Sequence, residues 1–184
     1  CDNLAVGGTT PSIGVINEAI KLTREKSVDL CVIIRPRGGD FVYTDPEVEA
    51  MLTDIRAAKE IGITCFVLGA LTSDRKLDKR VMQLLLAACG EAEVVFHMAF
   101  DELAHTDQLE AIEWLSDKGV ARILTRAGSP GATLEQRFAH YHRLLDEAKG
   151  KIQILPGGGV TLDNRQLFLE QLGVCQLHGT RIVF

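Results

Sequence analysis

A chain of 184 residues with 46% apolar and 24% charged side chains has the make-up of one folded domain, far from disordered, collagen-like or membrane sequences. Its net charge of -5 at pH 7, with the basic residues scattered, leaves no footprint for a phosphate backbone and excludes nucleic acid as an expected partner. No run approaches the roughly 18 apolar residues that span a bilayer, and Cys1 to Thr10 lack a basic start followed by an apolar stretch, so a cytoplasmic protein without a membrane partner is expected.

In chain order, Cys1-Asp2-Asn3 leads into a Gly-rich loop, Val6-Gly7-Gly8-Thr9-Thr10-Pro11-Ser12, and Ser12 is placed to cap a helix over Ile13 to Lys26. Asp29 to Ile34 follows as a strand. The loop behind it, Arg35-Pro36-Arg37-Gly38-Gly39-Asp40, sets two guanidinium groups beside a Gly-Gly turn. Such forks bind carboxylate or phosphate, or else pair with acids such as Asp40. A helix over Pro46 to Ile61, with Val48, Met51, Leu52, Ile55 and Ala58 at helical spacing, ends at Gly62.

From there the pattern repeats. Helices over Leu77 to Ala88, Asp107 to Lys118, Leu134 to Lys149 and Asn164 to Leu172 close on Gly90, Gly119, Gly150 and Gly173. Strand-like runs follow each glycine: Thr64 to Leu68 after Gly62, then Glu93 to Phe96, Arg122 to Thr125, Lys151 to Leu155 and Val174 to Leu177. Continuous apolar runs of this kind belong to parallel strands covered on both faces. Strands alternating with helices about every thirty residues indicate βα units.

Polar residues follow nearly every strand end, which favours a closed (β/α)₈ TIM barrel over an open sheet with one switch point. Residues 1–184 are then a single domain. Six strands are visible, so the first strand, the first helix and most of the second strand are expected upstream of Cys1.

On this reading the loops carry the chemistry. Phe96-His97-Met98-Ala99-Phe100-Asp101 places a proton-shuttling histidine at a strand end, with a carboxylate four residues on to orient it. Pro156-Gly157-Gly158-Gly159 and His178-Gly179-Thr180-Arg181 follow the last two strands, where barrels often hold phosphate. His105, His140 and His142 fall at a loop or on helices, where surface roles suffice. Cys1, Cys31, Cys65, Cys89 and Cys175 are odd in number and form no CxxC or zinc spacing. Reduced thiols are expected, the last four as buried packing.

Gly7-Gly8-Thr9-Thr10-Pro11-Ser12, Ile34-Arg35-Pro36-Arg37-Gly38-Gly39-Asp40-Phe41, Phe96-His97-Met98-Ala99-Phe100-Asp101, Pro156-Gly157-Gly158-Gly159 and His178-Gly179-Thr180-Arg181 stand in the order of the CutC signatures, and the chain resembles that family throughout. The resemblance implies a cytoplasmic, often oligomeric TIM barrel that acts in copper homeostasis and binds Cu(I) through cysteine thiolates. Cys1 matches the cysteine ending the family's second strand; its suggested partner cysteine is not in this sequence. Two positions depart from the pattern: Met98 replaces the arginine of Phe-His-Arg-Ala-Phe-Asp, and Arg126-Ala127-Gly128 replaces Ser-Gly.

Two functions are thereby expected as alternatives. One is a Cu(I)-binding homeostasis protein using Cys1. The other is an enzyme for a small anionic or phosphorylated molecule, in which Arg35, Arg37, Gly157, Gly158, Gly159, His178 and Arg181 hold the anion and His97, Asp101 and Arg35 act in catalysis.

Overall fold

A computed structural model describes residues 1–183. Six α-helices alternate with five strands: α1 (Ile13–Lys26), β1 (Cys31–Ile33), α2 (Asp45–Glu60), β2 (Cys65–Leu68), α3 (Lys79–Cys89), β3 (Glu93–Phe96), α4 (His105–Asp117), β4 (Arg122–Thr125), α5 (Leu134–Ala148), β5 (Gln153–Pro156) and α6 (Arg165–Leu172). The sheet order is the chain order, β1-β2-β3-β4-β5. The fold is thus α/β with a parallel five-stranded sheet, and among the described residues that sheet does not close into a barrel. Contacts gather the chain into two compact units, residues 1–95 and residues 96 onward.

In the first unit the helix boundaries follow from local chemistry. The Ser12 hydroxyl accepts the Val15 N–H at the start of α1, as the sequence suggests. Thr44 and Glu47 form a reciprocal capping box at the start of α2, with Pro46 in the first turn where its missing N–H is harmless. The helix α1 lacks a glycine stop and ends instead on Ser27 at φ 53°, a non-glycine residue in the left-handed region. β1 and β2 pair in parallel, Cys31 with Cys65, Val32 with Phe66 and Ile33 with Val67. Val32, Ile34, Phe66 and Leu68 alternate onto a fully covered face, while α2 packs beside α1 and α3 and buries Val48, Met51, Ile55 and Ala58. Burying each such large side chain is worth about 1.5–3 kcal/mol.

In the second unit β4 and β5 pair over four residues, Arg122 with Gln153 through Thr125 with Pro156. Helix α5 packs on β5, α4 and α6 around buried Tyr141, Leu144 and Phe168. The expected sixth strand, Val174 to Leu177, is not formed. Gly173 turns the chain at φ 62°, Cys175 and Gln176 face solvent, and among the described residues one ladder bond, from His178 N–H to the Pro156 carbonyl at 2.8 Å, joins the end of this stretch to β5. One bond fixes a crossing point and not a ladder.

Candidate functional site

Cys31, Cys65 and Glu93 are the first residues of β1, β2 and β3. Cys31 and Cys65 are direct partners in the parallel register, so their side chains leave the same face. Their Cα atoms are 4.6 Å apart and the two sulfurs are joined as a disulfide. The Glu93 N–H donates to the Thr64 carbonyl at 2.8 Å, which sets Glu93 beside Cys65; its Oε1 lies 3.6 Å from the Cys65 sulfur. One ligand atom from each of the three residues falls within 4.8 Å of the others. Once the bridge is reduced, two thiolates with a carboxylate would form a donor set for a thiophilic or borderline cation. This corrects the expectation of reduced, buried cysteines. Cys31 is exposed and bridged to buried Cys65, and Cys175 is exposed. Cys89 alone follows that expectation: it is buried, and burial pushes its thiol up to about 11, so it stays protonated.

The remaining candidates of the first unit sit elsewhere. Cys1 is an exposed free thiol packed beside Gly8, where a Cβ would come within 3.3 Å of the Cys1 Cβ. Arg35 is 4% exposed. Its Nη1 donates to the carbonyls of Val6 at 2.8 Å and Gly8 at 3.0 Å, and its Nη2 to that of Gly39 at 2.7 Å. The guanidinium also lies 4.8 Å from the Phe41 ring centre. These bonds tie the loop of residues 1–10 to the loop of residues 36–41. Arg37 pairs with Asp40 at 3.0 Å and Glu47 at 2.5 Å and donates to the Val42 carbonyl, the acid-paired arrangement the sequence allowed.

In the second unit, buried His97 caps a short 3-10 turn over Met98–Glu102, and its Nδ1 accepts the Ala99 N–H at 3.2 Å. That bond assigns the proton of the neutral ring to Nε2. The Asp101 side chain reaches the turn after β4. Its carboxylate, with the side chain 4% exposed, accepts from the Thr125 hydroxyl at 2.5 Å and the Arg126 N–H at 3.0 Å, with Arg126 Nε at 3.5 Å. Burial raises the Asp101 pKa, partly offset by these donors. Arg126 Nη2 lies 3.8 Å from Met98 Sδ, which sets a guanidinium beside the Met98 thioether.

Gly157 sits where a Cβ would fall 2.6 Å from Leu124 Cδ1 and 3.0 Å from Met98 Cε, and Gly158, at φ 69°, where it would fall 2.6 Å from Arg126 Cβ. Close packing therefore requires both, while exposed Gly159 has room. Arg137 and Tyr141, not singled out in the sequence, reach from α5 to this turn. Arg137 donates to the Arg126 and Gly157 carbonyls at 2.8 Å each, and the Tyr141 hydroxyl donates to the Thr125 carbonyl at 2.8 Å. Arg181 is exposed, and its backbone carbonyl accepts from Leu162 N–H at 2.8 Å. His178 keeps exposed surface yet is ringed by enough protein to push its imidazole below the usual value.

His140, beside His105, is also lowered, by burial first and then by His105 and Arg143. A depressed histidine pKa gives stability that is full above the unfolded value, 6.5, and is lost as pH falls through the folded one. The second unit should therefore lose stability as pH falls below about 6.5. Urea midpoints read from Trp114, the one tryptophan, would measure this. His140→Gln with His178→Gln should flatten the decline, and an unaltered slope in that double variant would refute the assignment.

A parallel α/β sheet, loaded loops behind its strands and a sulfur-carboxylate group at the opposite strand ends define a protein class with a candidate metal centre. Residues 1–183 match the model of the CutC family. The chain belongs to the CutC family. It is 47% identical over 183 residues to the family protein CutC of Enterococcus faecalis, covering all of this chain and 88% of that protein. It is 43% identical over 178 residues to the copper homeostasis protein cutC homolog of Homo sapiens, covering 97% of this chain and 63% of the human protein. The crystal structure of CutC from Streptococcus agalactiae superposes with a TM-score of 0.96 at 45% identity, over all of this chain and 87% of that one.

Proposed function

We propose that this protein acts in copper homeostasis by holding Cu(I) on cysteine sulfur, within a cytoplasmic, homo-oligomeric, single-domain TIM barrel. Family membership and the name of the human relative support the copper reading. The observation that carries it is the Cys31, Cys65 and Glu93 group, because paired thiolates select Cu(I) over harder ions. Cys1, exposed and free, is a further candidate ligand on the family resemblance. No helix among the described residues is long and apolar enough to cross a membrane, which accords with a protein that meets copper in water.

Titration of the fully reduced chain with Cu(I) under anaerobic conditions, against a chromophoric Cu(I) chelator, tests the reading. Stoichiometric retention is expected, at least tenfold weaker in a Cys31→Ser, Cys65→Ser variant (about 1.4 kcal/mol or more). Cys1→Ala reports the contribution of the exposed thiol separately. A reduced chain that surrenders Cu(I) as readily as a variant with all five cysteines replaced by serine would overturn the proposal.

A further inference from the structure

We propose that Cys31 and Cys65 form a thiol–disulfide gate that closes this metal site when oxidised and opens it when reduced. The inference rests on the copper reading above and adds its regulation. Three features of the first unit support it. The two cysteines are direct partners across β1 and β2, and the 4.6 Å between their Cα atoms lies within the range a disulfide spans. Val32 with Phe66 and Ile33 with Val67 continue the pairing beyond the cysteines, so the strands are held in place whether or not the sulfurs are bonded. Bridge and dithiol can therefore interconvert without moving the backbone that positions the ligands.

Access to the pair is asymmetric. Cys31 is exposed and Cys65 is 6% exposed, so an incoming thiolate reaches the Cys31 sulfur. With a dithiol reductant, its thiolate bonds to Cys31 Sγ, the S–S bond breaks, and its electron pair leaves on Cys65 Sγ, which takes up a proton. The second thiol of the reductant then attacks the mixed disulfide and releases Cys31. The reductant ends as its own disulfide, and two electrons and two protons have passed to the protein. Glu93, 3.6 Å from Cys65 Sγ, then accepts a hydrogen bond from the new Cys65 thiol.

A disulfide has no thiolate to offer a cation, whereas the dithiol provides two, each losing its proton as the cation binds. The same two sulfurs thus cannot serve both states at once. An oxidised chain is closed to Cu(I), and a reducing compartment opens it.

The experiment uses the whole chain, oxidised or reduced with dithiothreitol, which is then removed. Alkylation read by mass spectrometry should label Cys1, Cys89 and Cys175 alone in the denatured oxidised chain and all five cysteines after reduction. Cu(I) retention against the chelator should fall at least tenfold on oxidation, and Cys1→Ala should keep that dependence. Glutathione added to the oxidised chain should be trapped on Cys31 and not on Cys65. Equal retention by both forms, an oxidised chain with all five thiols reactive, or a redox dependence that survives in the Cys31→Ser, Cys65→Ser variant overturns the gate and leaves the copper reading standing. Failure of the reduced wild-type chain to retain Cu(I), with the bridge verified by alkylation, overturns the copper reading and the gate with it.

Discussion

Arg35→Ala should destabilise the first unit by about 3–5 kcal/mol, the largest effect expected of any single side chain there. Three carbonyls, those of Val6, Gly8 and Gly39, take their hydrogen bonds from this one guanidinium. Hydrogen bonds from a charged donor are worth about 1.5–3 kcal/mol, and a buried acceptor left without its partner costs about 1–3 kcal/mol. Gly8 is buried, so water cannot readily replace the lost donor at its carbonyl. Packing of the guanidinium on Phe41 is lost as well. Arg35→Lys should recover little, because an ammonium is a compact point charge and cannot fork between two loops. Arg37→Ala should cost about 1 kcal/mol or less, since its pairs with Asp40 and Glu47 lie in contact with solvent. Thermal unfolding gives the stability, and limited proteolysis should find new cleavage within residues 1–10 and 36–41 of the Arg35→Ala chain. A variant with the wild-type melting temperature and protease pattern that has lost affinity for phosphate would instead place Arg35 on a ligand.

The helices and all five strands were legible because their signals are local. All five punctuating glycines, at 62, 90, 119, 150 and 173, take positive φ, the conformation that a helix stop demands and other residues resist. Val174 to Leu177 looked like a strand for the same reason, but a strand exists only through its ladder, and no local signal counts ladder bonds. The sulfur group does not show in cysteine spacing along the chain, because strand register brings Cys31 and Cys65 together across 34 residues. Cys31-Val32-Ile33-Ile34, Cys65-Phe66-Val67-Leu68 and Glu93-Val94-Val95-Phe96 occupy the same offset in consecutive βα units, and parallel strands set in step bring such positions side by side. That alignment was available in the sequence. The roles of Arg137 and Tyr141 were not, because a helical residue that reaches a turn after a strand obeys the same apolar periodicity as one that merely packs.

Asp101 follows His97 by four residues in the motif, and its carboxylate binds the turn after β4. Asp101→Ala should cost the second unit about 2–4 kcal/mol at neutral pH. It would strip the Thr125 hydroxyl and the Arg126 N–H of their acceptor and leave the Arg126 guanidinium without its nearby carboxylate. Against that loss stands the cost of keeping a charge buried. Burial raises the Asp101 pKa above 3.8, so its protonated form is favoured in the folded chain; that contribution is fully present below 3.8 and is lost as pH rises through the folded value. The wild-type second unit should thus gain from Asp101 on acidification while His140 and His178 act in the opposite direction. Asp101→Asn separates the terms, since it removes the charge and its pH dependence but turns an amide donor toward groups that also donate. Urea midpoints from Trp114 at neutral and acid pH should show Asp101→Ala below wild type already at neutral pH, with the gap to wild type widening as pH falls. A gap that narrows on acidification would mean that the carboxylate is held by a stronger positive field than Arg126 and these donors provide.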